Sequence, residues 1–378
     1  MEEKVVNDKQ VVKNSRNSAI ELLRIIIMIM IVFSHFAVNG GFEINQTRNF
    51  NYVWCYFMAR GGQIGVNVFV LISGYFLIDS KQGFSLKKIL KFWLQLLFYS
   101  LVIYFAFCIK GDMLFSIKKL IMMCLPILFN SWWFATNYFI LFLLHPVLNL
   151  FLNKVPKHFF QAFLIITSIF FSLIPTITTF GSRLGMFAWF FILYSWAAYI
   201  KLYGLNPKVK CKHYFFMFFV FYILNILIYL GLESLSSKIS LINRYKYRID
   251  RVYFHVDSFI MLTISICLFM SFATLKMKTN KFINLIASAT FGVYLIHDSN
   301  LVRPYLWKEV FKYTSISFIP YSIMIVILIF AVCVIIELIR KLLIEKYYMK
   351  LISKYETKLL VPIKWGYKKI INLFFGNN

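Results

Sequence analysis

The chain reads as a succession of apolar runs separated by short polar or basic segments. The first run is 20–36, I-E-L-L-R-I-I-I-M-I-M-I-V-F-S-H-F. Runs of about 17–25 apolar residues, at about 1.5 Å rise per residue, match the thickness of a bilayer core. The pattern predicts spans at 20–36, 61–78, 89–109, 132–152, 159–177, 186–202, 214–232, 255–275, 282–297 and 318–339. Segment 110–131 holds only a short apolar run with Pro126, and reads as an interfacial helix or a re-entrant segment. Only helices satisfy their own backbone groups segment by segment in lipid. The fold class that follows is all-α, a polytopic integral membrane bundle of about ten transmembrane helices. Its parts are a tail at 1–18, a membrane domain at 19–339 and a basic tail at 340–378. Leu, Ile, Tyr and Phe interspersed in that last tail suggest an amphipathic helix lying on anionic lipid.

Composition agrees. Of the 378 residues 60% are hydrophobic and 15% charged, and mean hydropathy is +0.72. A soluble domain has no means of hiding that much apolar surface. The net charge of +26 does not point to nucleic acid, because no soluble basic domain exists to bind it. The cations cluster instead at the ends of alternate spans. Lys81, Lys87, Lys88 and Lys91 follow the second; Lys201, Lys208, Lys210 and Lys212 follow the sixth; Lys276, Lys278 and Lys281 follow the eighth. This positive-inside pattern places both termini in the cytoplasm and the chain in the plasma membrane, with the first run as an uncleaved signal-anchor. One stretch departs from it. The polar loop 233–254 is external on this topology, yet holds Lys238, Arg244, Lys246, Arg248 and Arg251. It is either a solvated loop or a contact for an anionic glycan or lipid. The six cysteines form no C-x-x-C pair and mostly lie in apolar runs. They read as small buried hydrophobes, and no metal is expected.

Polar residues inside the apolar runs are where chemistry is sought. Arg24 and His35 lie eleven residues apart in the first run. That is a net rotation of roughly 20° and a rise of about 16 Å, so they share one helix face. A buried Arg costs about 2.5–3.5 kcal/mol on insertion scales. Arg24 either snorkels or pairs with Glu21 one turn back, or the two residues form a polar site within the bundle. Their common face favours the site. In the second run, Gln63, Asn67 and Gly74 fall within about 40° of one another. Gly61, Gly62 and Gly65 leave room for close approach of a helix or a ligand. His297 and Asp298 end the ninth run, with Arg303 close after; Asp298 orients His297 or caps the helix. His145 precedes Pro146, which frees a backbone carbonyl that His145 can satisfy. There is no G-x-S-x-G elbow and no internal repeat.

Three stretches resemble one family. Arg, ten residues, then His in the first span is similar to the signature of the acyltransferase-3 membrane O-acyltransferases. The run 62–75, G-Q-I-G-V-N-V-F-V-L-I-S-G-Y, resembles that family's second-span pattern, and T-F-G-V-Y-L-I-H at 290–297 its late-span motif. The resemblance implies transfer of acetyl from cytoplasmic acetyl-CoA to a hydroxyl of a surface or capsular polysaccharide, or of its lipid-linked precursor. Under it, His35 is the base or acyl relay and Arg24 positions the donor. Lys81, Lys87 and Lys88 join the grip on acyl-CoA. They stand where the family has arginines, so the contact is a point charge rather than a fork. Gln63, Asn67, Ser73, Tyr75, His297, Asp298 and Arg303 are the candidate substrate-binding residues. Lipid, acyl-CoA and a glycan acceptor are the implied partners. The competing reading is a glycan transporter or exporter without acyl-transfer chemistry, since buried Arg and His also mark transport pathways.

Overall fold

A computed structural model describes residues 16–40, 50–80, 85–177, 185–311 and 318–355. These residues form helices and turns, with no strand among them. In chain order the helices are α1 (Ser18–Asn39), α2 (Phe50–Leu77), α3 (Leu86–Lys110), α4 (Ile117–Cys124), α5 (Trp133–Leu152), α6 (Lys157–Thr176) and α7 (Gly185–Tyr203). There follow α8 (Cys211–Ser236), α9 (Ser240–Arg244), α10 (Lys246–Phe254), α11 (Phe259–Ala273), α12 (Lys281–Ala287), α13 (Thr290–His297) and α14 (Ile319–Tyr355). Among the described residues nine helices are long and apolar enough to cross a membrane, and Lys281–His297 is a shorter apolar helix pair. The chain is a polytopic helical membrane bundle.

Cross-chain contacts define two ends. At one, Ser18 hydrogen-bonds Asn284 and Asn280, Asn149 donates to Leu77 O and Lys201 pairs with Asp79. At the other, His35 meets His297, Ser172 donates to Asp257 O, and Tyr52 and Tyr56 donate to Glu233. These are called the Arg24 end and the His35 end below.

The α1–α2 pair is the centre of the bundle, and glycine is what allows it. A Cβ on Gly62 would stand 2.4 Å from Ser34 Oγ, and one on Gly65 2.9 Å from the Ile27 carbonyl. Ser34 Oγ then reaches Ala59 O at 2.7 Å. The second-span glycines therefore admit a helix. Asn17 starts α1 by accepting from the amides of Ala19 and Ile20. In α5 the sequence expectation holds. Pro146 cannot donate to Phe142 O, and His145 Nδ1 lies 2.5 Å from that oxygen.

Several boundaries differ from the sequence expectation. Helix α2 begins at Phe50, so Arg60 is not at a loop edge but inside a helix, fully buried. Segment 233–254 is not an open loop: α8 continues to Ser236, and α9 and α10 fold across the His35 end. Segment 110–131 carries only the eight-residue α4, too short to cross. The ninth run is broken at Ser288–Ala289 into α12 and α13. Of the 340–378 tail, the described part continues α14 to Tyr355 through a π-turn at Lys341–Glu345. The remainder, 356–378, lies outside the described residues.

One buried polar network went unread in the sequence. Glu337 on α14 is fully buried. It accepts from Gln95 at 3.0 Å, Tyr99 at 2.6 Å and Arg340 at 2.7 and 2.8 Å. Arg340 also reaches Glu345, which pairs with Lys91, while Lys341 binds the Ser288 carbonyl at the α12–α13 break. Each charge has a partner, as burial in a bilayer requires. Gly292 of α13 packs on this carboxylate: a Cβ there would stand 2.5 Å from Glu337 Cδ. Gly292→Ala must therefore displace Glu337 from its donors. Overpacking typically costs about 1–3 kcal/mol, so the variant should unfold at a lower temperature in detergent than wild type. An unchanged midpoint would contradict this packing.

Candidate active site

The site is built where α1 and α13 meet at the His35 end. His35 Nδ1 lies 2.9 Å from His297 Nε2, and their rings are 5.1 Å apart between centroids. His297 Nδ1 lies 2.6 Å from Val293 O. A carbonyl only accepts, so Nδ1 of His297 carries the proton and its Nε2 is a lone pair when the ring is neutral. That lone pair accepts from the Nδ1–H of His35. The remaining nitrogen of His35, Nε2, then holds a lone pair of its own. One backbone carbonyl thus fixes both tautomers and leaves His35 a base.

The carboxylate of Asp298 sits beside this pair. Its Oδ1 is 3.4 Å from His35 Nδ1 and 2.8 Å from Arg303 Nε. Arg303 Nη2 also donates to the Asp298 backbone carbonyl at 3.1 Å, which ties the carboxylate to the turn after α13. Both His297 and Asp298 are buried. A positive charge appearing on His35 would meet a carboxylate already aimed at it.

His35 opens on a narrow cavity of about 30 Å³, walled by Met28, Ile31, Phe69, Phe134 and Phe291, with Asp298 beside His35. Met28 and Ile31 continue down the α1 face that carries Arg24, since positions 24, 28, 31 and 35 recur at helical spacing. At the other end of that face, Arg24 Nη1 is 3.9 Å from Glu21 Oε2. Neither Arg24 Nε nor Glu21 Oε2 has a hydrogen-bond partner among the described residues. The pair is loose, and the guanidinium keeps donors to offer.

The other sequence candidates scatter. Lys81 lies outside the described residues. Lys87 and Lys88 occupy the first turn of α3 at the Arg24 end. Gln63 is half-buried on α2. Asn67 is fully buried and its amide is occupied: it donates to Val256 O and accepts from Trp189 Nε1, both at 2.9 Å. Ser73 donates back to Phe69 O. Tyr75 meets Phe269 edge-to-face and faces Lys201. The structure brings His35, His297, Asp298 and Arg303 together. It places Asn67, Ser73 and Tyr75 in packing and intrahelical contacts.

A polar cluster that sequence reasoning missed centres on Arg60. Its guanidinium lies 4.2 Å from the Tyr229 ring centroid, 5.1 Å from that of Tyr56 and 5.3 Å from that of Phe254. The available signal was an Arg standing as the one charge in the run 50–78.

The described residues thus form a helical membrane bundle with a histidine facing an apolar slot. The family model described as an acyltransferase domain, acyltransferase-3, matches residues 17–338. The chain belongs to the acyltransferase-3 family, and is a membrane acyltransferase. No curated protein and no solved structure matches it.

Proposed function

We propose that the protein transfers acetyl from acetyl-CoA to a hydroxyl of a cell-surface or capsular polysaccharide, or of its lipid-linked precursor. The observation that supports this most is the His35–His297–Asp298 arrangement, which leaves His35 Nε2 free at a narrow apolar cavity. A slot of that size suits a two-carbon acyl group better than a long chain.

In this reading, His35 Nε2 removes the proton from the acceptor hydroxyl as its oxygen attacks the thioester carbonyl. The imidazolium that forms is held by the Asp298 carboxylate, and Arg303 keeps that carboxylate in place. The C–S bond then breaks, and CoA leaves as the thiol with the proton that His35 carried. The products are the O-acetyl ester and CoA. Arg24 grips phosphate at the opposite end of the same helix face. The pantetheine arm separates those phosphates from the thioester, so the two residues serve one donor without touching. With the positive-inside orientation, the donor enters from the cytoplasm and His35 faces the outer half of the bundle.

Proton NMR of the host's surface glycan tests the assignment. O-acetyl signals should be present in cells carrying the gene and absent when it is deleted. Identical acetylation in both strains would overturn it.

A further inference from the structure

At the His35 end a second cavity, of about 450 Å³, opens between α1, α2, α8 and α10. That volume lies in the range of about 300–1,000 Å³ typical of small-molecule sites. It begins at Ala37 and Val38, two and three residues past His35. Its chemistry is unlike the rest of the bundle. Tyr56, Tyr229 and Phe254 supply ring walls, and Glu233, Asp250 and Lys246 line it as well. The carboxylates are positioned by phenols: Tyr52 and Tyr56 donate to Glu233, and Tyr229 donates to Asp250 at 2.8 Å. Lys246 Nζ stands 4.0 Å from Glu233.

Arg60 stiffens this wall from behind. It is fully buried against the three rings and held by Asn225 Oδ1 and Tyr56 O, each at 3.2 Å. Its Nη2 and the Nδ2 of Asn225 are buried without a hydrogen-bond partner among the described residues.

We infer that this cavity is the acceptor subsite, and that it binds a neutral saccharide unit. The inference rests on the acyl-transfer reading for what is acylated, but not for the binding itself. Ring faces match the C–H faces of a pyranose, while carboxylates and a lysine match its hydroxyls as acceptors and donor. Glu233 faces Lys246, Asp250 accepts from Tyr229, and Arg60 lies behind the same wall, a setting that suits a neutral polyol. A phosphate or uronate would face two carboxylates at close range. Acyl-CoA is disfavoured for the same reason, and its grip lies at the Arg24 end. The cavity begins two residues past His35 on α1, at the same end of the bundle as the base.

The test uses the full-length protein in nanodiscs. The probe is neutral oligosaccharide cut from the host's surface glycan and de-esterified with mild base. Saturation-transfer NMR and calorimetry report its binding to wild type, Glu233→Gln, Asp250→Asn and Lys246→Ala. Losing one charge-assisted contact should weaken the probe roughly ten- to hundred-fold in the two carboxamide variants. The half-exposed Lys246 keeps the test open if the carboxamide variants misfold, and its alanine variant should weaken binding several-fold. Acetyl-CoA binding should be unchanged in all three. Wild-type probe affinity in folded Asp250→Asn and Lys246→Ala would overturn the inference. Displacement of the probe by vesicles of anionic phospholipid would also overturn it, by showing a lipid headgroup site. If the probe binds as expected but no acetyl is ever transferred, the acyl-transfer reading fails and the saccharide site stands.

Discussion

His35→Ala should fold, insert and keep its partners' positions, yet lose at least ~10²-fold in acyl-transfer turnover, the lower range for removing a general base. The geometry explains both halves. His35 makes one ring hydrogen bond, to His297, and its side chain remains about one-quarter exposed (23%). Its loss opens little core, and His297 stays anchored to Val293 O. What disappears is the only ring nitrogen of the pair left with an unshared lone pair at the slot. His35→Gln, which replaces the ring with an amide of negligible basicity, should be equally inactive. The measurement is acetyl incorporation per mole of protein in membranes with matched expression. Wild-type turnover in a well-expressed His35→Ala would remove His35 from the reaction.

The second large effect belongs to Arg24. If it grips acyl-CoA, its loss acts on donor binding. A charge-assisted contact is worth about 1.5–3 kcal/mol, so acetyl-CoA affinity should fall roughly ten- to hundred-fold in Arg24→Ala. Arg24→Lys keeps the charge without the fork and should recover part of it. The alternative is a structural pair with Glu21. The observed contact is long, 3.9 Å, with no hydrogen bond, which is weak geometry for a scaffold ion pair. The double change Glu21→Ala plus Arg24→Ala separates the two. A scaffold pair would give low protein from Arg24→Ala alone, restored in the double variant, with normal donor affinity throughout. A donor site gives normal protein and weak acetyl-CoA binding in both.

Much of this molecule was legible because the relevant physics is local. Span order follows from runs that must cross a fixed thickness. The His145–Pro146 arrangement follows from the carbonyl that proline leaves unpaired four residues back. The shared face of Arg24 and His35 needs only helix geometry. What was not legible depends on distant partners. Arg60 sat in a polar stretch whose hydropathy reads as a loop. It is stable within α2 only because Asn225, Tyr229 and Phe254, far along the chain, surround it. Glu337 and Arg340 stand at the edge of an apolar run, where hydropathy marks only a boundary. Gln95 and Tyr99 of α3 are what turn them into a buried network. Asn67 shows the reverse case. It is a candidate substrate contact on the sequence, but Trp189 and Val256 take its amide, so its polarity ties the bundle together. His297 and Asp298 were candidates for substrate contact, yet only the approach of α13 to α1 reveals that they address His35.

Transfer in a reconstituted system tests the central claim most directly. Purified protein in nanodiscs is given acetyl-CoA labelled in the acetyl group, with and without de-esterified host glycan. Label should enter the glycan as a base-labile ester, with one free CoA thiol released per ester, and only when both substrates are present. Folded His35→Ala should leave the label on CoA. Equal ester formation by His35→Ala, or no transfer by wild type with both substrates bound, would contradict the account.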